Sequence, residues 1–246
     1  MISFDLEKST EALQFSLVKH NVGKILPCQV NFTMDVSGSF DDEHRSGYTQ
    51  QLLNRFVPFA MLFDKDKTLG SYVFASRCEQ LGDINERNYA DYIRKSVQRS
   101  SVYNGGTNYV PIFDLLIENT KAEIEAPVST GGFLSRLFGR SKPAETVATT
   151  PEKHLHVFVT DGEAFDQDEA ARHLDDLLSQ HTNIYFLFVS ISPRPMRFLQ
   201  DHYGDKTSSS YINMTPQELK NLQNISDEAL YDLVLTDSMT AWMNRT

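Results

Sequence analysis

The 246-residue sequence is short of several things, and each shortage narrows what it can be. It has two cysteines, Cys28 and Cys78, far apart and without the Cys-x-x-Cys spacing of a redox or zinc pair. Two reduced, buried thiols in apolar, strand-like surroundings are the simplest expectation, with a single disulfide as the alternative. No run of Lys and Arg interrupts a formal net charge of −10. Phosphate backbones repel such a surface, so nucleic acid is not an expected partner. No apolar stretch approaches the ~20 residues that cross a bilayer. The start, Met1-Ile2-Ser3-Phe4-Asp5-Leu6-Glu7, has neither the basic region nor the long apolar region of a signal peptide. A soluble, cytoplasmic protein is the expectation. What is present is ordinary: 40% hydrophobic residues and 23% charged ones, enough for a real core and too apolar for global disorder.

Apolar periodicity alternates between strand and helix along the chain. A first helix is expected from about Ser9 to His20, capped by Ser9 or Thr10. A central strand, Ile25 to Met34, runs into the loop Asp35-Val36-Ser37-Gly38-Ser39. An amphipathic helix from about Gly47 to Asp64, a strand from Leu69 to Ala75 and a helix from Asn88 to Arg99 follow. The turn Gly105-Gly106-Thr107-Asn108 opens a helix from Val110 to Ile124, with Pro111 in its tolerant first turn. Further on come a strand at His154 to Thr160, a helix at Asp168 to His181 and a strand at Ile184 to Ile191. A helix near Pro195 to Tyr203, a short strand at Tyr211-Ile212 and a closing helix from Ser226 to Met243 complete the order. Such alternation gives an α/β fold, a mostly parallel central sheet with helices on both faces. The expected division is an N-terminal helical extension, 1–24, and one domain, 25–246. That domain is interrupted at about 125–151 by a surface insertion rich in Ser, Thr, Gly, Pro and Ala.

Three polar loops carry the chemistry. Asp35-Val36-Ser37-Gly38-Ser39 and Thr160-Asp161-Gly162 each end an apolar strand, and Gly106-Thr107 opens a helix. In a parallel sheet the first and third emerge on one edge, where such folds bind ligands. An aspartate, two alternate hydroxyls and a second aspartate are hard oxygen donors suited to Mg²⁺ or Mn²⁺.

Asp-x-Ser-x-Ser, a distant Thr and a distant Asp resemble the metal-ion-dependent adhesion site of von Willebrand factor A (vWA) domains. All five positions match, as Asp35, Ser37, Ser39, Thr107 and Asp161. The resemblance runs from about Pro27 to Met243. Gly105-Gly106-Thr107-Asn108-Tyr109 and Asp227-Glu228-Ala229-Leu230-Tyr231 look like the A domains of bacterial or phage tellurite-resistance (TerF-like) proteins. The resemblance implies a Rossmann-like fold and direct metal bonds from Ser37, Ser39 and, when ready for ligand, Thr107. It implies water-mediated bonds from Asp35 and Asp161, and a partner carboxylate completing the shell. Phe40 departs from the usual Met, at a position that is not a ligand.

Blander readings stand beside these. Asp-x-Ser-x-Ser alone is a turn sequence; three ordered segments at strand ends favour the metal over a turn or a degenerate site. Asp41, Asp42 and Glu163 read as solvated loop carboxylates, and His154-x-His156 as ordinary strand histidines lacking a third ligand. No Gly-x-Ser-x-Gly elbow surrounds Ser37, and no Gly-Lys-Ser/Thr follows Gly105-Gly106-Thr107, so neither a nucleophile nor a nucleotide loop is expected. Gly131 to Arg140 holds four large apolar residues and two arginines. It reads equally as a segment folded back on the domain or as a docking motif for a protein or anionic membrane. The function expected is a non-enzymatic, metal-dependent protein-interaction module. Its alternatives are an adaptor of a MoxR-type AAA+ ATPase and, third, metal-assisted phosphoester hydrolysis.

Overall fold

The computed structural model describes residues 4–125 and 152–245. The expected insertion, with Gly131 to Arg140, lies outside the described residues apart from Glu125. Six strands form one sheet: β1 (Cys28–Asp35), β2 (Leu69–Phe74), β3 (Cys78–Ile84), β4 (Lys153–Thr160), β5 (Ile184–Ile191) and β6 (Ser209–Met214). Their order is β3-β2-β1-β4-β5-β6. Every neighbouring pair is parallel except β2 and β3.

Ten α-helices accompany the sheet among the described residues: α1 (Leu6–Lys19), α2 (Asp41–Arg45), α3 (Tyr48–Phe63), α4 (Tyr92–Lys95), α5 (Val110–Glu125), α6 (Gln167–Gln180), α7 (Arg197–Tyr203), α8 (Pro216–Lys220), α9 (Asp227–Val234) and α10 (Asp237–Met243). Successive strand residues point to opposite faces, so the sheet serves two cores. On one face Val30, Phe32 and Met34 of β1 and Leu187 and Val189 of β5 meet α1, α3, α9 and α10. On the other, Phe158, Phe186 and Phe188 meet Phe113 of α5, Leu174 of α6 and Leu199 of α7. All eight residues of β5 are buried, which is why its sequence runs apolar without alternating.

Several sequence expectations are corrected. The first helix starts at Leu6, because the Asp5 side chain accepts the Lys8 amide as its cap. Ser9 is instead buried against the Tyr231 hydroxyl, and the Thr10 hydroxyl donates back to the Leu6 carbonyl. The closing helix is two helices. Ser226 caps α9 as expected, but Leu235 leaves the helix and Thr236 caps a new one by accepting the Met239 amide. The helix expected at Asn88 to Arg99 breaks into a four-residue α4 between two 3-10 turns. Strand β3 was not foreseen: Cys-Glu-Gln-Leu-Gly-Asp-Ile is a polar sequence suited to a sheet edge, where charge blocks further pairing. Its first residue, Cys78, is only half-buried; Cys28 is buried, and both thiols are free.

The chain crosses from β1 to β2 in one direction and to β4 in the other. The carboxyl ends of β1 and β4 therefore flank the crevice where strand order reverses, the place α/β sheets offer to ligands.

Candidate metal centre

Asp35 is the last residue of β1 and Thr160 the last of β4. The Thr160 hydroxyl donates to Asp35 Oδ2 at 2.7 Å, and the Ser37 amide donates to Asp35 Oδ1 at 2.8 Å. These two bonds fix the carboxylate at the mouth of the crevice, wholly buried. The Ser37 and Ser39 hydroxyls lie 3.2 Å apart. Both donate to Asp161 Oδ1, at 3.4 Å and 3.0 Å. Two aspartates and two serines from two strand ends thus form one cluster of oxygen atoms.

The second loop is fastened to the first. The Asn104 amide donates to the Val36 carbonyl at 2.7 Å and the Gly38 amide to the Gly105 carbonyl at 2.9 Å. A Cβ on Gly105 would stand 2.9 Å from the Ala75 Cβ, so the close approach of this loop to the end of β2 requires glycine. Thr107 sits beside the third loop; its Oγ1 is 3.8 Å from where a Gly162 Cβ would be. Among the described residues hydrogen bonds join Ser37 and Ser39 to Asp161, and Thr107 lies against the loop that carries Asp161.

Two residues that sequence reading missed hold the loops in place. Asp166 accepts the Tyr109 and Val110 amides on its two carboxylate oxygens, at 2.7 Å and 3.0 Å. Its place before α6 marks it as a cap for that helix, yet its side chain serves the start of α5. The Tyr109 hydroxyl donates to the Gly162 carbonyl at 2.6 Å, closing the same clasp. His44 of α2 sits behind the site, its Nε2 2.9 Å from the Asp35 carbonyl oxygen. No local pattern nine residues after Asp35 announces that contact.

Burial pushes Asp35 up to about 7, and the neighbouring Asp161 adds to the shift. Burial also raises Asp161, against the pull of the Ser39 hydroxyl, and Glu43 raises it further. Among the described residues no Lys or Arg forms an ion pair with either carboxylate. Of the flanking acids, Asp41 is not merely solvated. It accepts from the Tyr103 hydroxyl at 2.8 Å and pairs with Arg45 at 2.7 Å, and these contacts lower its pKa. His154 and His156 are buried on β4, with no grouping of three or more His, Cys, Asp and Glu fit for a metal anywhere among the described residues. The donor set at Asp35 and Asp161 is instead half hydroxyl. It fits a hard divalent cation that keeps part of its water, and such an ion would supply the missing positive charge.

The family described as vWA-TerF-like, a vWA found in the TerF C terminus, matches residues 27–130. The fold is shared with proximal thread matrix protein 1 of the mussel byssus, at TM-score 0.54 and 14% identity over 87% of this chain and 48% of that one. This chain thus spans about half the length of the mussel protein. It is shared too with the manganese-loaded TRAP protein of Plasmodium vivax, at TM-score 0.53 and 12% identity over 87% and 73% of the two chains. A further structure of the mussel protein has a zinc-occupied MIDAS motif, at TM-score 0.52 and 14% identity over 84% and 47%. Residues 27–130 thus resemble a vWA domain in sequence, and the described residues share the fold of these solved structures. In sequence it is 22% identical to the uncharacterized protein YcbR of Bacillus subtilis (strain 168), across 96% of this chain and 85% of the relative.

Proposed function

We propose that this domain binds Mg²⁺ or Mn²⁺ through Asp35, Ser37, Ser39, Thr107 and Asp161, and uses the bound ion to hold a carboxylate of a protein partner. The observation that carries the reading is the convergence of Ser37, Ser39 and Asp161 oxygens in front of a buried Asp35. A divalent ion held by these residues would supply a Lewis acid for an incoming oxygen. The protein's part is to aim the donors. Thr160 and the Ser37 amide hold Asp35, and the two serines hold Asp161. Thr107 lies against Gly162, the residue after Asp161, and its hydroxyl is the fifth proposed donor.

An exposed aromatic residue supports an interaction surface. Phe165 is 96% exposed on the third loop, between the buried Ala164 and the engaged Asp166. A phenyl ring held in water by a loop fastened on both sides is unfavourable unless something covers it. The vWA relatives whose metal is named carry zinc or manganese at 12–14% identity, which supports a divalent ion without choosing between metals.

Calorimetric titration with Mg²⁺ tests the metal half. Wild type should bind one ion, and Asp35→Ala and Ser37→Ala should lose it; equal binding by all three refutes the proposal. Partner capture should then depend on Mg²⁺, reverse with EDTA and fail for Ser37→Ala.

A further inference from the structure

We propose that His44 is a positioning residue for this metal centre, fixing the backbone of Asp35, and so the aim of its carboxylate, from helix α3 through Thr49. The inference rests on the metal reading above and adds a residue that contributes no ligand.

His44 is almost fully buried and both its ring nitrogens are engaged. Nε2 lies 2.9 Å from the Asp35 carbonyl oxygen and Nδ1 2.9 Å from the Thr49 hydroxyl. A carbonyl only accepts, so Nε2 carries the proton, and in the neutral ring Nδ1 accepts from Thr49. The ring also touches both neighbouring loops. It lies edge-on to Phe40, the residue after Ser39, at 4.9 Å, and is tilted against Tyr103, just before the second loop, at 5.8 Å. Tyr103 in turn donates to Asp41.

One side chain therefore joins the end of β1, the first loop, the approach to the second loop and the first turn of α3. Asp35 has its carboxylate set by Thr160 and Ser37 and its carbonyl set by His44. The amide of the same peptide, from Val36, donates to the Phe74 carbonyl at 2.8 Å, so losing His44 leaves this peptide held at one end and loosens the backbone that carries the carboxylate. Outer partners of this kind act on affinity by orienting the inner ligands.

The two ring nitrogens can be separated by substitution. Glutamine reproduces a donor at the Nε2 position, whereas asparagine reaches only as far as Nδ1. With Mg²⁺ as the probe, H44N should bind at least about tenfold more weakly than wild type, and H44Q within about threefold of it. Both should melt below wild type by similar amounts, so the affinity split is what a purely structural histidine would not produce. Folded H44N with wild-type affinity, or H44Q as weak as H44N, overturns the proposal. If H44N fails to fold, T49V against T49S replaces it. T49V, which like H44Q loses the Thr49 bond but keeps the donor to Asp35, should bind Mg²⁺ up to about threefold more weakly and T49S like wild type, and equal affinities overturn the proposal. Wild type that binds neither Mg²⁺ nor Mn²⁺ removes the metal reading itself, an outcome distinct from normal binding by the variants.

Discussion

Acidic groups gather at two ends of this sheet, and they do different things. At the carboxyl edge, the Ser37 and Ser39 hydroxyls lie within 3.4 Å of Asp161, beside a fully buried Asp35 that the Ser37 amide holds. At the opposite edge, Asp64, Asp66, Asp83, Glu123 and Glu152 line an open, polar cavity of about 270 Å³ with Lys65 among them. That second group is larger and more acidic, yet its members are spread around an open cavity. Lys65 pairs with Glu152 at 3.0 Å, and the Asp64 carboxylate accepts the Asp66 amide at 2.8 Å. Charge alone does not build a cation site. Convergence does, and it comes from the register of β1 against β4 and from hydroxyls aimed by short loops.

The largest expected effect separates the two edges. Asp161→Ala should abolish Mg²⁺ binding measured by calorimetry, while Asp83→Asn should leave it at the wild-type value. Metal binding lost on neutralising Asp83 would break the contrast.

Next in size is a pH effect near the acidic edge. His156 is buried, stacked on Phe186 at 4.6 Å and 3.2 Å from the Thr120 hydroxyl. Burial, and then His154, hold its pKa down at about 3. The folded value lies below the unfolded one, so the unfolded chain takes up the proton first. The stability this residue contributes is present above about pH 6.5 and is lost as pH falls towards the folded value. His156→Phe should therefore flatten acid destabilisation. Between about pH 7 and pH 4.5 its denaturant-derived stability should fall ~2 kcal/mol less than that of wild type. Parallel curves would show that the buried imidazole is not what titrates.

A smaller effect belongs to the clasp at the carboxyl edge. Asp166→Ala leaves the Tyr109 and Val110 amides without their carboxylate and should cost ~1 kcal/mol in denaturant melts. It should also weaken Mg²⁺ binding, because among the described residues the Thr107 loop keeps only the Tyr109 hydroxyl as its tie to the Asp161 loop; unchanged affinity would place the clasp outside the site. Smallest of all is Asp83→Asn on stability. Burial and Glu123 raise the pKa of this carboxyl, so losing its charge should stabilise by only a few tenths of a kcal/mol, since solvent screens the group.

How much was legible follows physical lines. The run Ile184 to Ile191 announced a strand buried on both faces, and β5 is one. Asp-x-Ser-x-Ser and Thr-Asp-Gly after apolar runs announced strand-end loops, and they meet. Polar β3 was hidden because an edge strand needs no apolar face, and its pairing comes from β2. The break at Leu235 was hidden because the apolar spacing continues through it; only the Thr236 cap marks the new start. His44 and Asp166 were hidden because their partners are backbone atoms 9 and 56–57 residues away.

The sequence by itself determined the alternation of strands and helices, hence a largely parallel sheet with two cores, and the oxygen chemistry of the strand-end loops. Both follow from local rules, the period of apolar residues and the donor character of side chains. Tertiary structure alone decided which acids converge. It set Asp35 beside Asp161 through the pairing of β1 with β4 and recruited His44 behind the site. Those are distances between segments far apart in the chain, fixed by packing that no local pattern encodes.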